Sequence, residues 1–223
     1  MFYRAGCQWV ELDPTQVREG RLPANLPEIA IHGGGGGFVE PYTDVLRALE
    51  QLTPRFRQVF LLPHSIGGDK AAAYLQTAPA SLTLYAREPR SLAFARQHAV
   101  LANVLYADDL SFSFDYSPYH TTGVGQLNCF RTDMERHPQQ QAPSDNVDLS
   151  TITGPADDPH PWLDAVSKFR HVRTDRLHVA IVAAFMGKTV ELYPGGYWKN
   201  RVMYDHAIKP RFPLTVTWRE WSP

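Results

Sequence analysis

Short apolar runs alternate with longer amphipathic stretches from about Pro27 onward. This alternation predicts βα units and therefore a mainly parallel sheet. The predicted strands of the first half are residues 29–32, 58–63, 81–86 and 104–107, and the predicted helices are residues 45–52, 70–76 and 90–98. Strand 29–32 runs into five consecutive glycines, Gly33 to Gly37, which we predict to be a loop.

The second half shows the same alternation around a long irregular stretch. Residues 135–161 are rich in Pro, Gln, Asp, Ser and Thr and predict a long loop, with a short extended piece at residues 147–152. The other predicted elements are strands 126–130, 169–172 and 189–193 and helices 163–168 and 175–186. We therefore expect two α/β halves, residues 1–115 and residues 116–223, that face each other across a cleft.

The size and charge of the chain limit what it can be. A chain of 223 residues can form one large core or two small ones, and 43% hydrophobic with 20% charged residues is ordinary for a folded protein. With 22 basic and 23 acidic residues the formal net charge is −1. No net field attracts nucleic acid or an anionic membrane, so an anion has to be bound by locally placed groups.

The cysteines and histidines predict neither a disulfide framework nor a metal site. Cys7 and Cys129 are the only cysteines, and they lack the paired spacing of a zinc site. His171 and His178 are seven residues apart without a carboxylate at matching spacing. The N-terminal residues contain no signal-peptide core and no stretch is long enough to span a membrane, so we expect a soluble, cytoplasmic protein.

The glycine run is a first candidate for ligand contact. Backbone at Gly34 and Gly35 can approach a ligand closely and offer N–H groups to an anion at the start of the next helix. The run is not the spaced G-x-G-x-x-G pattern of dinucleotide sites, so NAD is not expected. The alternative is a flexible surface turn.

Two predicted strands are followed directly by polar residues. His64 and Ser65 come after strand 58–63, and Arg87 and Glu88 come after strand 81–86. Ligands of open α/β sheets bind beyond the carboxyl ends of the strands, which favours a binding role. The alternatives are an ion pair of Arg87 with Glu88 or Asp108 and a capping role for Ser65.

A third candidate is the start of the predicted helix 175–186. A helix N-terminus favours an anion, Arg176 adds a forked cation, and His178 can exchange a proton near neutral pH. Gly187 follows as a helix-stop residue. The alternative is a surface pair of Arg176 with Asp175 or Asp164 beside a hydrogen-bonded His178.

Lys199 lies in the segment GGYWKN. The glycines permit movement, and the rings of Tyr197 and Trp198 can stack on a sugar or close over a ligand. The alternative is an ordinary solvated lysine.

Taken in order, these segments resemble the polysaccharide pyruvyl transferase family. The matching blocks are residues 31–35 (IHGGG), 62–66 (LPHSI), 86–91 (AREPRS), 107–108 (AD) and 175–178 (DRLH), followed by AIVAAFMGK, TVELYP and GGYWKNRVMYDH. They span roughly residues 29 to 206. The chain departs from the family at His64, where many members have Gln, and residues 138–143 match nothing in it.

The resemblance implies two Rossmann-like lobes in a GT-B-like arrangement and transfer of a pyruvyl group from phosphoenolpyruvate to two sugar hydroxyls. The product is a cyclic ketal on a polysaccharide or a lipid-linked precursor, and no cofactor or metal is implied. Two rivals stay open: a glycosyltransferase that uses a nucleotide sugar, and a glycan- or phosphate-binding module without catalysis.

The chemistry of this reaction suggests a role for each candidate residue. Phosphoenolpyruvate carries a phosphate and a carboxylate, for which Arg176 and Arg87 are the expected partners and Lys199 a third. His178 and His64 are the expected acid and base in an open order, with Asp108 or Asp175 to orient an imidazole. The remaining expected substrate contacts are Gly34, Gly35, Ser65 and Tyr197.

Overall fold

A computed structural model describes residues 8–151 and 158–221 of the chain. The chain divides into two compact units, Met1–Asp109 and Leu110–Pro223, whereas the sequence suggested a boundary after residue 115. Each unit is built on one sheet in which every strand pairing is parallel. Among the described residues, no helix is both long and apolar enough to cross a bilayer.

Unit 1 is a five-stranded sheet with its helices on one face. Its elements are α1 (Pro14–Arg18), β1 (Ile29–His32), β2 (Gly35–Val39), α2 (Asp44–Leu52), β3 (Gln58–Gly67), α3 (Asp69–Thr77), β4 (Leu82–Ala86), α4 (Pro89–His98) and β5 (Asn103–Tyr106). The strand order is β1-β3-β4-β5, and β2 also pairs with β3. Because the order follows the chain, right-handed crossovers place α2, α3 and α4 on the same side.

The core of unit 1 lies between this helical layer and the sheet. Val59, Leu61, Leu82 and Leu84 meet apolar side chains of the helices, such as Leu49 of α2. Side chains alternate between the faces of a strand, so the intervening residues point away from the helices. Most of these residues are partly exposed and apolar, namely Ile29, Ile31, Phe60, Leu62, Tyr85 and Leu105, whereas Gln58, Thr83 and Asn103 are polar.

Unit 2 repeats this arrangement with four strands. Its elements are β6 (Gln126–Cys129), α5 (His160–Ser167), β7 (His171–Thr174), α6 (Leu177–Phe185), β8 (Thr189–Leu192), α7 (Lys199–Met203), a π-helix (Tyr204–Ile208), α8 (Lys209–Arg211) and β9 (Val216–Trp218). The strand order is β6-β7-β8-β9. Helix α6 is buried along almost its whole length and ends at Gly187, whose φ is +75°.

The sheet face opposite α6 is polar. Asn128, Arg173 and Glu191 occupy the same register position on β6, β7 and β8. The Arg173 guanidinium donates from Nε to Glu191 Oε2 at 3.0 Å. Both units are therefore Rossmann-like parallel α/β layers, but the sheet face away from the helices is mostly apolar in unit 1 and polar in unit 2.

The structure corrects the expected glycine loop and the length of the following strand. Gly35 to Gly37 belong to β2, which pairs with β3 from Gly35 opposite His64 to Val39 opposite Gly67. This pairing exists because β3 continues four residues beyond Pro63, so His64 and Ser65 lie inside a strand rather than after its end. The next helix, α2, begins only at Asp44, so the glycines do not lie at a helix start.

Two boundaries and one element type predicted for unit 2 were also wrong. Helix α6 begins at Leu177, and Arg176 is its N-cap residue. Strand β7 begins at His171. Phe169 still belongs to the turn at the end of α5, because its N–H donates to the carbonyl oxygen of Val166. Leu149–Thr151 form a 3₁₀ turn instead of the extended piece, whose last residue, Ile152, lies outside the described residues.

Candidate functional site

His64 stands at a change of partner in the sheet of unit 1. On one side of β3, strand β1 ends with His32 opposite Leu61, and β2 begins with Gly35 opposite His64. On the other side, β4 ends with Ala86 opposite His64. Strand β3 continues past His64, but β1 has already ended opposite Leu61 and β4 ends opposite His64. His64 therefore lies at the carboxyl ends of the neighbouring strands, which is where open α/β sheets bind ligands.

The surroundings of His64 keep its ring neutral. The side chain is 2% exposed, and Nδ1 donates to the carbonyl oxygen of Leu62 at 2.7 Å. Burial lowers the pKa of His64 to about 3, so Nε2 carries a lone pair at neutral pH. A Cβ at Gly35 would lie 3.7 Å from Nε2, and the His32 ring is 5.8 Å away between centroids. This arrangement makes Nε2 a hydrogen-bond acceptor and not an acid.

Arg87 lies almost wholly inside unit 1. It is 1% exposed, its Nε donates to Ser65 Oγ at 3.0 Å, and its Nη1 donates to Asp109 Oδ2 at 2.6 Å. Glu88 instead caps α4 by accepting from the backbone N–H groups of Arg90 and Ser91. The carboxylate partner shown for Arg87 is thus Asp109, where the sequence had suggested Glu88 or Asp108, and the N-terminus of α4 already holds a carboxylate.

Arg176 in unit 2 is fixed by one carboxylate and approached by a second. Its Nε and Nη2 donate to the two oxygens of Asp148 at 2.6 and 2.7 Å. Nη2 also donates to Asp133 Oδ2 at 3.0 Å. Within residues 8–151 and 158–221, Nη1 makes no hydrogen bond. The guanidinium plane is therefore held on one edge while the edge formed by Nη1 and Nη2 is only partly occupied.

Asp148 is itself held in place. Its side chain accepts from the backbone N–H and hydroxyl of Thr132 and from the hydroxyl of Ser150. Burial alone raises the pKa of this carboxyl, but the hydrogen bonds and charge of Arg176 hold the pKa well below its usual range. Asp148 is therefore ionised at neutral pH and acts as a rigid support for Arg176.

The charges around Arg176 continue into a chain that reaches Lys199. Lys199 Nζ donates to Glu135 Oε2 at 3.0 Å, and the same oxygen accepts from Arg131 Nη1. Arg131 Nη2 contacts Asp133 Oδ2 at 3.3 Å, and that oxygen also binds Arg176. Lys199 is only 9% exposed and opens α7, so it is not the lysine of a mobile loop.

Two predicted residues flank this network. His178 is exposed in the first turn of α6, a helix whose N-cap side chain makes no capping hydrogen bond. Asp175 is fully buried, and its Oδ1 accepts from the backbone N–H of Arg131 at 2.8 Å. Its Oδ2 has no hydrogen-bond partner in the described parts of the chain, and burial raises the pKa of Asp175 to about 6.

The structure thus groups the predicted residues by unit. His64, Ser65, Arg87 and Gly35 come together in unit 1, with Gly34 in the short link between β1 and β2. Arg176, Lys199 and Tyr197 join one network in unit 2, where the Tyr197 hydroxyl donates to Glu135 at 3.2 Å. The residues that hold them were not predicted from the sequence: Asp109, Arg131, Asp133, Glu135 and Asp148.

One of the missed residues had a usable signal. Arg131 follows a strand, as Arg87 does, and has acidic residues two and four positions later. Asp109 and Asp148 had none, because they pair with arginines 22 and 28 residues away. No cluster of three or more potential metal ligands occurs in the residues that the structure describes.

The fold is shared with a protein of known structure. An uncharacterized protein from Klebsiella pneumoniae subsp. pneumoniae superposes with a TM-score of 0.75 at 24% identity, covering 98% of this chain and 83% of that chain. At this identity the likeness concerns the fold alone. No family model and no curated protein matches the chain.

Proposed function

We propose that this protein is a pyruvyl transferase that moves a pyruvyl group from phosphoenolpyruvate to a sugar during the synthesis of a polysaccharide or cell-surface glycan. The proposal includes a GT-B-like arrangement of the two Rossmann-like units. The observation that carries it is the position of Arg176 at the N-terminus of α6, with one edge fixed by Asp148 and the other partly open.

An oxyanion donor fits this position for three physical reasons. The Nη1–Nη2 edge of a guanidinium matches two oxygens of a phosphate or carboxylate. The N-terminus of α6, where the side chain of the N-cap residue makes no capping hydrogen bond, adds backbone N–H groups and a favourable dipole. The fixed orientation lowers the entropy lost on binding, because Asp148 already immobilises the Arg176 side chain.

The proposed reaction needs a proton donor and a hydrogen-bond acceptor, and two histidines are candidates for these roles. His178, exposed beside Arg176, donates a proton to C3 of the enol as a sugar hydroxyl attacks C2. His64, neutral through burial, accepts a hydrogen bond from the attacking hydroxyl at Nε2. The C2–O bond to phosphate then breaks, and a second hydroxyl closes the ketal. Of the two protons lost by the hydroxyls, one balances the proton gained by C3 and the other leaves on the released phosphate.

Product formation tests the proposal. The protein is incubated with phosphoenolpyruvate and a set of glycans and lipid-linked saccharides, and released phosphate and the mass of each acceptor are measured. We expect phosphate release coupled to one pyruvyl ketal, abolished in Arg176→Ala and His178→Ala. The control variant Arg57→Ala, whose ion pair with Glu28 is exposed, retains activity.

Thermal shift with phosphoenolpyruvate and with nucleotide sugars separates the rivals. Stabilisation by nucleotide sugars alone would replace pyruvyl transfer with glycosyl transfer. Stabilisation by phosphoenolpyruvate without turnover of any acceptor would instead indicate a binding module.

A further inference from the structure

We propose that Asp133 sets the affinity for the donor, because its carboxylate occupies the edge of Arg176 that an incoming oxyanion needs and is displaced when the oxyanion binds. This inference rests on the proposed function insofar as that function makes Arg176 the anion clamp. It goes further by giving a named carboxylate the role of an internal competitor.

The two carboxylates on Arg176 differ in how firmly they are held. The Asp148 side chain is 4% exposed and binds both Nε and Nη2 of Arg176. The Asp133 side chain is 42% exposed and touches Arg176 only through Oδ2 and Nη2, at 3.0 Å, while its other contacts are with Arg131 and with the backbone N–H of Glu135. An exposed contact of this kind contributes little free energy, so a ligand can replace it at small cost. Asp148 therefore supports Arg176, and Asp133 is the carboxylate that can release Arg176 while Arg131 and the Glu135 N–H still hold it.

The charge of the network explains why Asp133 matters for affinity. Arg131, Arg176 and Lys199 are balanced by Asp133, Glu135 and Asp148. The buried carboxyl of Asp175 lies beside these groups and, with a pKa of about 6, is mostly ionised at neutral pH, so the network presents no net attraction to an anion. Neutralising Asp133 removes the negative charge that lies against Nη2 of Arg176, in a partly buried setting where screening by salt is weaker than at the surface.

The geometry also limits the class of ligand. The open edge consists of Nη1, which makes no hydrogen bond in the described residues, and Nη2, which is shared with Asp133. Two parallel donors select a group with two oxygens on one centre, such as a phosphate monoester or a carboxylate. A neutral sugar gains nothing from the removal of Asp133, so the effect is specific for anions.

Asp133→Asn tests the proposal with inorganic phosphate as the probe. In the parent protein the backbone N–H of Glu135 donates to Asp133 Oδ1 at 3.0 Å. Asparagine keeps this oxygen, so the local turn is preserved. The matched control is Asp145→Asn, which also removes one negative charge. Asp145 is exposed and accepts a hydrogen bond from Asn128, and it makes no contact with Arg176 in the described residues. Calorimetry gives the Kd for phosphate and for phosphoenolpyruvate at low and high salt.

We expect Asp133→Asn to tighten phosphate binding about fivefold at low salt, as an interaction of about 1 kcal/mol would, and Asp145→Asn to leave it unchanged. Adding Arg176→Ala should remove the gain. The inference is overturned if Asp133→Asn binds phosphate no better than the parent, if both Asn variants tighten it equally, or if the gain survives without Arg176. A fivefold gain in a protein that never forms a ketal would leave Asp133 in this role and refute the proposed function.

Discussion

Arg87 and Arg176 follow strands of the two units and each is held by a carboxylate, yet the two arginines are suited to different tasks. Arg87 is 1% exposed and bridges Ser65 and Asp109 inside unit 1. Arg176 rests on Asp148 with one edge and turns the other toward Asp133, whose side chain is 42% exposed. A charged residue at a strand end is therefore not by itself a ligand site, because the groups that pair with it decide whether it is available to a ligand.

The same comparison refines the role expected for Arg87. Its backbone N–H donates to the carbonyl oxygen of His64, and its side chain holds Ser65, the next residue of β3. These contacts tie Arg87 to the backbone of His64 and to the side chain of Ser65. We therefore expect Arg87 to influence the reaction chiefly by holding His64 and Ser65 in position, while Arg176 contacts the anion.

The largest expected effect is on stability, from Arg87→Ala. Removing one partner of a buried ion pair leaves the Asp109 charge unpaired, and such a loss costs about 3–5 kcal/mol. Urea unfolding followed by hydrogen exchange in peptides of each unit measures this free energy of unfolding and assigns it to unit 1.

Arg57→Ala is the matched control. Arg57 and Glu28 are 80% and 72% exposed, so breaking their ion pair should cost less than about 1 kcal/mol. The double variant Arg87→Met with Asp109→Leu should recover much of the loss, since an apolar pair leaves no buried charge. If Arg87→Ala and Arg57→Ala lowered the free energy of unfolding equally, the buried ion pair of Arg87 with Asp109 would contribute no more than an exposed one.

A smaller effect is expected when the pH falls from 7 to 5. The pKa of His64 is lowered by burial to about 3 in the folded protein, so only the unfolded chain takes up a proton in this range. Stability is thus present above the unfolded pKa of about 6.5 and is lost as the pH falls, by about 2 kcal/mol at pH 5. Hydrogen exchange of unit 1 measures the slope, and His64→Gln, which cannot titrate, should reduce it to the part contributed by other groups such as His32, whose pKa burial also lowers. An unchanged slope in that variant would exclude His64 as its origin.

Most regular elements were predictable because local periodicity encodes them. Helix α2 buries Val45, Leu49 and Leu52, the spacing seen in the sequence, and Gly187 ends α6 as expected. Strand β2 was not predictable, since glycine has low strand propensity and Gly35 to Gly37 are extended only because β3 offers them a partner. An element made by a distant partner leaves little trace in its own sequence.

The candidate site was predictable in its cations but not in its carboxylates. Arg87, Arg176 and Lys199 stood out by their position after strands or in a glycine-bearing segment. Their partners Asp109, Glu135 and Asp148 come from segments 22, 64 and 28 residues away, and long-range pairs carry no local pattern. These partners decide whether a cationic side chain is available to a ligand, and they became visible only in the structure.

The smallest expected effect is a gain in the stability of unit 2 as the pH falls, which is opposite in sign to the loss expected from His64 in unit 1. Burial raises the pKa of Asp175 to about 6, above an unfolded value of about 3.8, so the folded protein keeps a proton that the unfolded chain has already lost. Its contribution is fully present below the unfolded pKa and is lost as the pH rises through the folded pKa, so unit 2 should gain about 1 kcal/mol from Asp175 between pH 7 and pH 5. Asp175→Asn keeps an oxygen for the backbone N–H of Arg131 and removes the titration. Hydrogen exchange should show that this variant abolishes the gain in unit 2 without altering the slope of unit 1; a gain that persisted in Asp175→Asn would mean that another group of unit 2 takes up the proton.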